Sequence, residues 1–208
     1  MSIGRRLMPR FLRPRRGRRG PGLLDASTTG SHLGELFKPF VTPMRPIQQD
    51  IEAIAAKYGR RIEPLWKPGA DRKSAARKAV RIARREARAI DRRLDRLDPL
   101  VSRFERSLTA TLRTLAGLEE GLGGKAGDPA GLLVVRRGIG DFVGVVRQDR
   151  TVDAGFESLM TDVLGPSAEL NAVSKRGAAL AARTIAVDDK ILEFCERLLA
   201  ITDRVLGR

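Results

Sequence analysis

Residues 71–123 read DRKSAARKAVRIARREARAIDRRLDRLDPLVSRFERSLTATLRTLAGLEEGLG. Within them Val80, Ala83, Ala87, Ile90, Leu94, Leu97, Val101, Phe104, Leu108, Thr111, Leu115, Leu118 and Leu122 recur at alternating steps of 3 and 4, and only Thr111 is not apolar. Side chains at that spacing fall on one stripe of an α-helix, and a stripe sustained over so many heptads demands partner helices along its length. Asp71 is placed to cap the start. Pro99 removes one backbone hydrogen bond in the middle, yet the stripe keeps its phase across it. The reading is therefore one kinked helix and no change of direction, roughly 75 Å long at 1.5 Å per residue.

Downstream, Gly121 to Gly131 is a Gly-rich loop, and Asp128-Pro129 supplies a cap and a first helical residue. Val135, Gly138, Phe142, Val145, Asp149, Val152, Phe156, Leu159 and Val163 continue the 3,4 spacing with Gly138 and Asp149 as faults. Leu132 to Val135 and Phe142 to Val146 are also β-rich runs around a Gly-containing stretch, so a small β-hairpin within residues 132–147 stays open beside the helix. Gly165-Pro166 ends that element, and Ser167 with Glu169 opens the next. Leu170, Val173, Gly177, Leu180, Thr184, Val187, Ile191, Phe194, Leu198, Ile201 and Val205 then form a second long seam. Upstream, Ile47, Ile51, Ile54 and Tyr58 make a shorter stripe that starts after Pro46 and stops at Gly59. The fold class is thus all-α: an elongated antiparallel bundle of three long helices plus a short one, with coiled-coil-like seams, over residues 47–208.

Residues 25–46 read as a linker, with Pro39, Pro43 and Pro46 around a short apolar patch. Residues 1–24 mix Arg with Pro and Gly, cannot bury enough apolar surface to order themselves, and read as a disordered basic arm. That arm contains Arg5, Arg6, Arg10, Arg13, Arg15, Arg16, Arg18 and Arg19 and no acid, a charge of +8. Residues 72–96 carry Arg72, Lys73, Arg77, Lys78, Arg81, Arg84, Arg85, Arg88, Arg92, Arg93 and Arg96 against Glu86, Asp91 and Asp95, again +8. The whole 208-residue chain is +15, so the rest sums to −1 and these two segments hold the entire excess.

Little in the chain points to catalysis. Aromatic residues make up 4% of it, with one Trp, one Tyr and one His, which leaves scant material for cofactor stacking or imidazole chemistry. His32 has no neighbouring His or Cys to share a metal, and no cofactor or metal site is expected. Gly121-Leu122-Gly123-Gly124-Lys125-Ala126 fails as a phosphate-binding loop, because Glu119 stands where its first Gly belongs and Ala126 where a hydroxyl belongs. Cys195, the single cysteine, follows Phe194 of the last seam and reads as an inert buried thiol, which suits a reducing, cytoplasmic setting. The adjacent acids Asp188 and Asp189 point to different sides of a helix, so they make a poor acid–base pair. Gly140 and Gly144, and Gly177 with Ala178 and Ala181, read as places where helices approach closely. No apolar run approaches the 18 residues of a membrane span.

Eleven bases with three acids, plus eight arginines on an arm, favour a polyanion partner. Arg outnumbers Lys in both segments, and its planar fork suits phosphate. The functional expectation is a non-enzymatic helical scaffold that binds nucleic acid backbone without sequence specificity, since no Asn is placed to read bases. The alternative is an anionic membrane surface: Leu7, Phe11 and Leu12 give the arm an apolar side. An elongated bundle with a basic face is also similar in general layout to BAR-type modules, a likeness of architecture that rests on no motif. A structural subunit that meets partner helices, or a second copy of itself, is the third reading.

Overall fold

The computed structural model describes residues 35, 37–66, 71–123, 129–163 and 165–207. The Asp71 carboxylate accepts from the amides of Lys73 at 3.1 Å and Ser74 at 3.2 Å, satisfying amides that a helix start leaves orphaned. From this cap runs the longest helix, α2, Arg72–Gly123, straight through Pro99. Before it stand a helical stretch at residues 37–41, α1 (Arg45–Ile62) and a 3₁₀ turn, Glu63–Trp66. After it come α3 (Pro129–Asp162) and α4 (Ala168–Val205). The Ser167 hydroxyl caps α4 by accepting from the Leu170 amide at 3.1 Å. Residues 132–147, where a hairpin stood open, are one uninterrupted piece of α3. The β-rich runs there bury one side only, and helical packing overrides their strand propensity.

Cross-helix ion pairs give the directions. Arg136 meets Asp203, Arg147 meets Glu196 and Arg150 meets Asp189, so α3 and α4 are antiparallel. Arg84 meets Glu169, Asp91 meets Arg176, Glu105 meets Arg183 and Glu119 meets Arg197, so α2 and α4 run the same way. Asp50 with Arg93, and Arg61 with Glu86, set α1 antiparallel to α2. The result is an antiparallel bundle in which α4 lies along both α2 and α3, while α1 lies along α2 and touches α3. Phe37, on the stretch that reads as linker, is buried edge-on against Phe104 of α2 at 5.4 Å and Phe142 of α3 at 5.8 Å. Met44 is buried with it, so the bundle core reaches upstream of residue 47.

The seams follow the sequence periodicity over most of their length and depart from it in three places. At the start of α2 the buried residues are Ala75 and Ala79, while Val80, the first residue of the expected stripe, is half-buried. From Ala83 to Phe104 the expected positions are buried, and Leu108 and Thr111 are only partly so. In α3 the buried line is Leu132, Val135, Ile139, Phe142, Val146, Asp149, Asp153, Phe156 and Met160, whereas Val145 and Val152 are exposed. The spacing rule is obeyed in both phases, and the phase that packs admits two aspartates. In α4, Cys195 and Thr202 replace Phe194 and Ile201 as the most buried residues of the last turns.

Close helix approach occurs at one of the two small-residue motifs. A Cβ at Gly140 or Gly144 would meet open space, and both residues are exposed. At buried Gly177 it would strike the side chain of buried Met160 across the α3/α4 contact. Gly177→Ala is therefore expected to cost about 1–3 kcal/mol in urea unfolding, the usual penalty of an added methyl in a filled core. A neutral result would show that Met160 swings aside freely.

Candidate functional site

Two features stand apart from ordinary helix packing: a basic face on α2 and a group of buried carboxylates between α1, α3 and α4. Arg77, Arg81, Arg84, Arg85, Arg88 and Arg92 fall within a sector of about 100° on α2 and span roughly 22 Å of its axis. All six are exposed, on the side turned away from buried Ala79, Ala83, Ile90 and Leu94. With Val80 and Asp91 they line an open depression of about 920 Å³. Lys73, Lys78 and Arg96 are exposed on the flanks of this face, and Arg72 is exposed at the start of the helix on the opposite side.

Asp91 borders this face, but none of the segment's own acids pairs with one of its arginines. Glu86 is buried and pairs with Arg61 of α1 at 2.7 Å. Asp91 and Asp95 each lie 2.8 Å from Arg176 of α4. All three acids thus go to arginines from outside residues 72–96. Among the described residues, only two of the segment's eleven bases have a carboxylate partner. Arg84 lies 3.0 Å from Glu169 in the first turn of α4. That carboxyl is held below its usual range by its backbone amide and then by Arg84. Arg93 departs from the expected set: it turns toward α1, 3.8 Å from Asp50, and its Nε is buried. Arg5, Arg6, Arg10, Arg13, Arg15, Arg16, Arg18 and Arg19 lie outside the described residues.

The carboxylate group is the feature that sequence reasoning missed. Asp149 and Asp153 are four residues apart in α3 and so share a face, and Asp188 approaches from α4. Asp153 and Asp188 are fully buried and Asp149 is nearly so. Arg45, in the first turn of α1, forms ion pairs with Asp149 and, at 3.0 Å, with Asp153 Oδ1. It also donates to the Asp149 carbonyl at 3.2 Å. Gln48, one helical turn on, donates to the same Asp153 oxygen at 2.8 Å and accepts from Arg45 at 2.9 Å. Both oxygens of Asp188, together with Asp149 Oδ2 and Asp153 Oδ2, are buried without a hydrogen-bond partner. Burial, and then the charge of Asp153, push the Asp188 carboxyl up to about 8. One oxygen from each of the three carboxylates lies within 4.8 Å of the others.

The sequence did carry a signal, since Asp149 interrupts an apolar stripe and Asp188 stands beside seam residue Val187. Nothing in the chain order says that α3 and α4 bring them together. Asp189, as expected, points elsewhere, to Arg150 at the surface. Cys195 is fully buried, and burial pushes its thiol up to about 12, so no thiolate forms at neutral pH.

No family model, curated protein or solved structure matches the chain. No helix among the described residues is long and apolar enough to cross a membrane.

Proposed function

We propose that this protein is a non-enzymatic helical bundle that binds the phosphate backbone of nucleic acid, without sequence specificity, through the arginine face of α2. The observation that carries the reading is that, among the described residues, Arg84 alone of the six arginines on that face has a carboxylate partner, while Glu86, Asp91 and Asp95 pair with Arg61 and Arg176. The guanidiniums of Arg77, Arg81, Arg85 and Arg88, and that of Arg92 beyond its bond to the Arg88 carbonyl at 3.2 Å, have no carboxylate partner among the described residues. The depression they line holds Val80 as its one apolar residue. The exposed large hydrophobics of the described chain, Val145 and Val152 among them, lie on other elements. A face of this composition supports phosphate contact over insertion into a bilayer, which scales with buried apolar area.

Fluorescence anisotropy with duplexes of scrambled sequence, across a salt series, tests this. Affinities are expected to be nearly equal between sequences and to fall with a log–log salt slope of about −0.9 per phosphate neutralised. The triple variant Arg81→Glu, Arg85→Glu, Arg88→Glu spares the Arg84–Glu169 pair. It should flatten the slope by about 2.7 if each residue meets one phosphate. An unchanged slope would place binding elsewhere. Tight, salt-insensitive binding to anionic liposomes with no binding to duplexes would favour the membrane surface instead.

A further inference from the structure

The three buried aspartates play no part in a surface arginine face, and their charge is not balanced by what surrounds them. Arg45 meets Asp149 and Asp153, and Gln48 adds a neutral donor to Asp153. Asp188 is fully buried, faces the other two carboxylates, and has no hydrogen-bond partner on either oxygen. With all three carboxylates ionised, the single guanidinium leaves a net charge of −2 among buried groups, which a protein interior sustains only with a proton on Asp188 or a cation beside it. A dication would bring the sum to zero.

The donors fit such an ion. The three carboxylate oxygens lie within 4.8 Å of one another, and oxygens on opposite sides of a cation bound at 2.3–2.6 Å stand about 4.6–5.2 Å apart. The donor set is all carboxylate, the chemistry of calcium, manganese and magnesium and not of copper or zinc. An open pocket of about 520 Å³, lined by Val145, Gln148 and Val152, reaches Arg45 and Asp149 at the edge of the cluster. We propose that Asp149, Asp153 and Asp188 form a binding site for a hard divalent cation, held between α3 and α4 beside Arg45.

The test uses the full chain, stripped with chelator and dialysed. Mn²⁺ is the spectroscopic probe, read by loss of its free paramagnetic signal, and Ca²⁺ is the probe in thermal unfolding. One Mn²⁺ per chain is expected above any weak surface binding. A hundredfold excess of Ca²⁺ over its dissociation constant is expected to raise the melting midpoint by roughly 5–10 °C. Asp188→Asn is isosteric and should fold, as far-UV dichroism will show, yet lose both the stoichiometric Mn²⁺ and the Ca²⁺ shift. Asp149→Asn serves the same purpose if Asp188→Asn fails to fold. Asp189→Asn, at the exposed neighbour, should keep both signals. Absence of stoichiometric Mn²⁺ in the wild type, or its retention in Asp188→Asn or Asp149→Asn, overturns the proposal and leaves the cluster holding a proton only.

Discussion

Replacing Arg45 with Met is expected to lower the folding free energy by about 3–5 kcal/mol at neutral pH in the presence of chelator, the usual result of removing one partner from a buried ionic group. Arg45 contributes to Asp149 twice, at carboxylate and carbonyl, and to Asp153 once, with only a fifth of its side chain exposed. Methionine has similar reach but no donors, so both aspartates would keep their burial and lose their countercharge. Urea unfolding of the two proteins at equal m-value reads the difference directly. Arg150→Met is the matched control. Its pair with Asp189 is half-exposed, and pairs of that kind contribute little, so the midpoint should stay nearly where it was. Equal effects from the two substitutions would mean that water reaches the Arg45 site.

Asp188→Asn is expected to do the opposite and stabilise the metal-free protein at alkaline pH. The folded carboxyl titrates at about 8 against 3.8 when freely solvated, so the native state holds the proton more tightly than the unfolded one. Between those two values unfolding releases a proton, and stability therefore falls as pH rises from about 4 to about 8, levelling off above. If the whole shift is realised the loss is of order 6 kcal/mol at most. Asparagine carries no charge to lose. Near pH 5 the two proteins should be close in stability, and at pH 8.5 the variant should exceed the wild type by a few kcal/mol. Taking the difference between the two curves removes groups common to both, such as Glu105, whose carboxyl is lowered chiefly by its hydrogen bond from Arg183. A difference that stays constant from pH 5 to 8.5 would show that Asp188 does not bear its charge in the core.

The legibility of this protein is uneven, and the reason is the range over which each signal acts. Heptad spacing is a local property of a chain, which is why the buried run from Ala83 to Phe104 and the early α4 seam from Leu170 to Ile191 could be read directly. The same holds for the caps at Asp71 and Ser167, where donor and acceptor lie within three residues. The phase of α3 is legible only in part. The expected and the observed stripes share Val135, Phe142, Asp149 and Phe156, all buried, and part where Val145 and Val152 are exposed while Val146 and Asp153 beside them are buried. The arginine face and its shortage of acid were visible as composition, but the partners that its few acids take were not. Those partners are Arg61, 25 residues from Glu86, and Arg176, 85 residues from Asp91.

The order of residues alone determined an all-α bundle, the positions of its long helices, and an arginine-rich half-helix without enough acid of its own. These follow from periodicity, capping and charge counted over a few turns. Tertiary structure alone decided that Asp153 faces inward beside Asp149, that Asp188 meets them from a helix begun after a turn, and that Arg45 of the first helix closes over two of the three. A buried carboxylate is tolerable only beside a charge or donor of the right sign, and that neighbour is supplied by packing between helices distant in the chain.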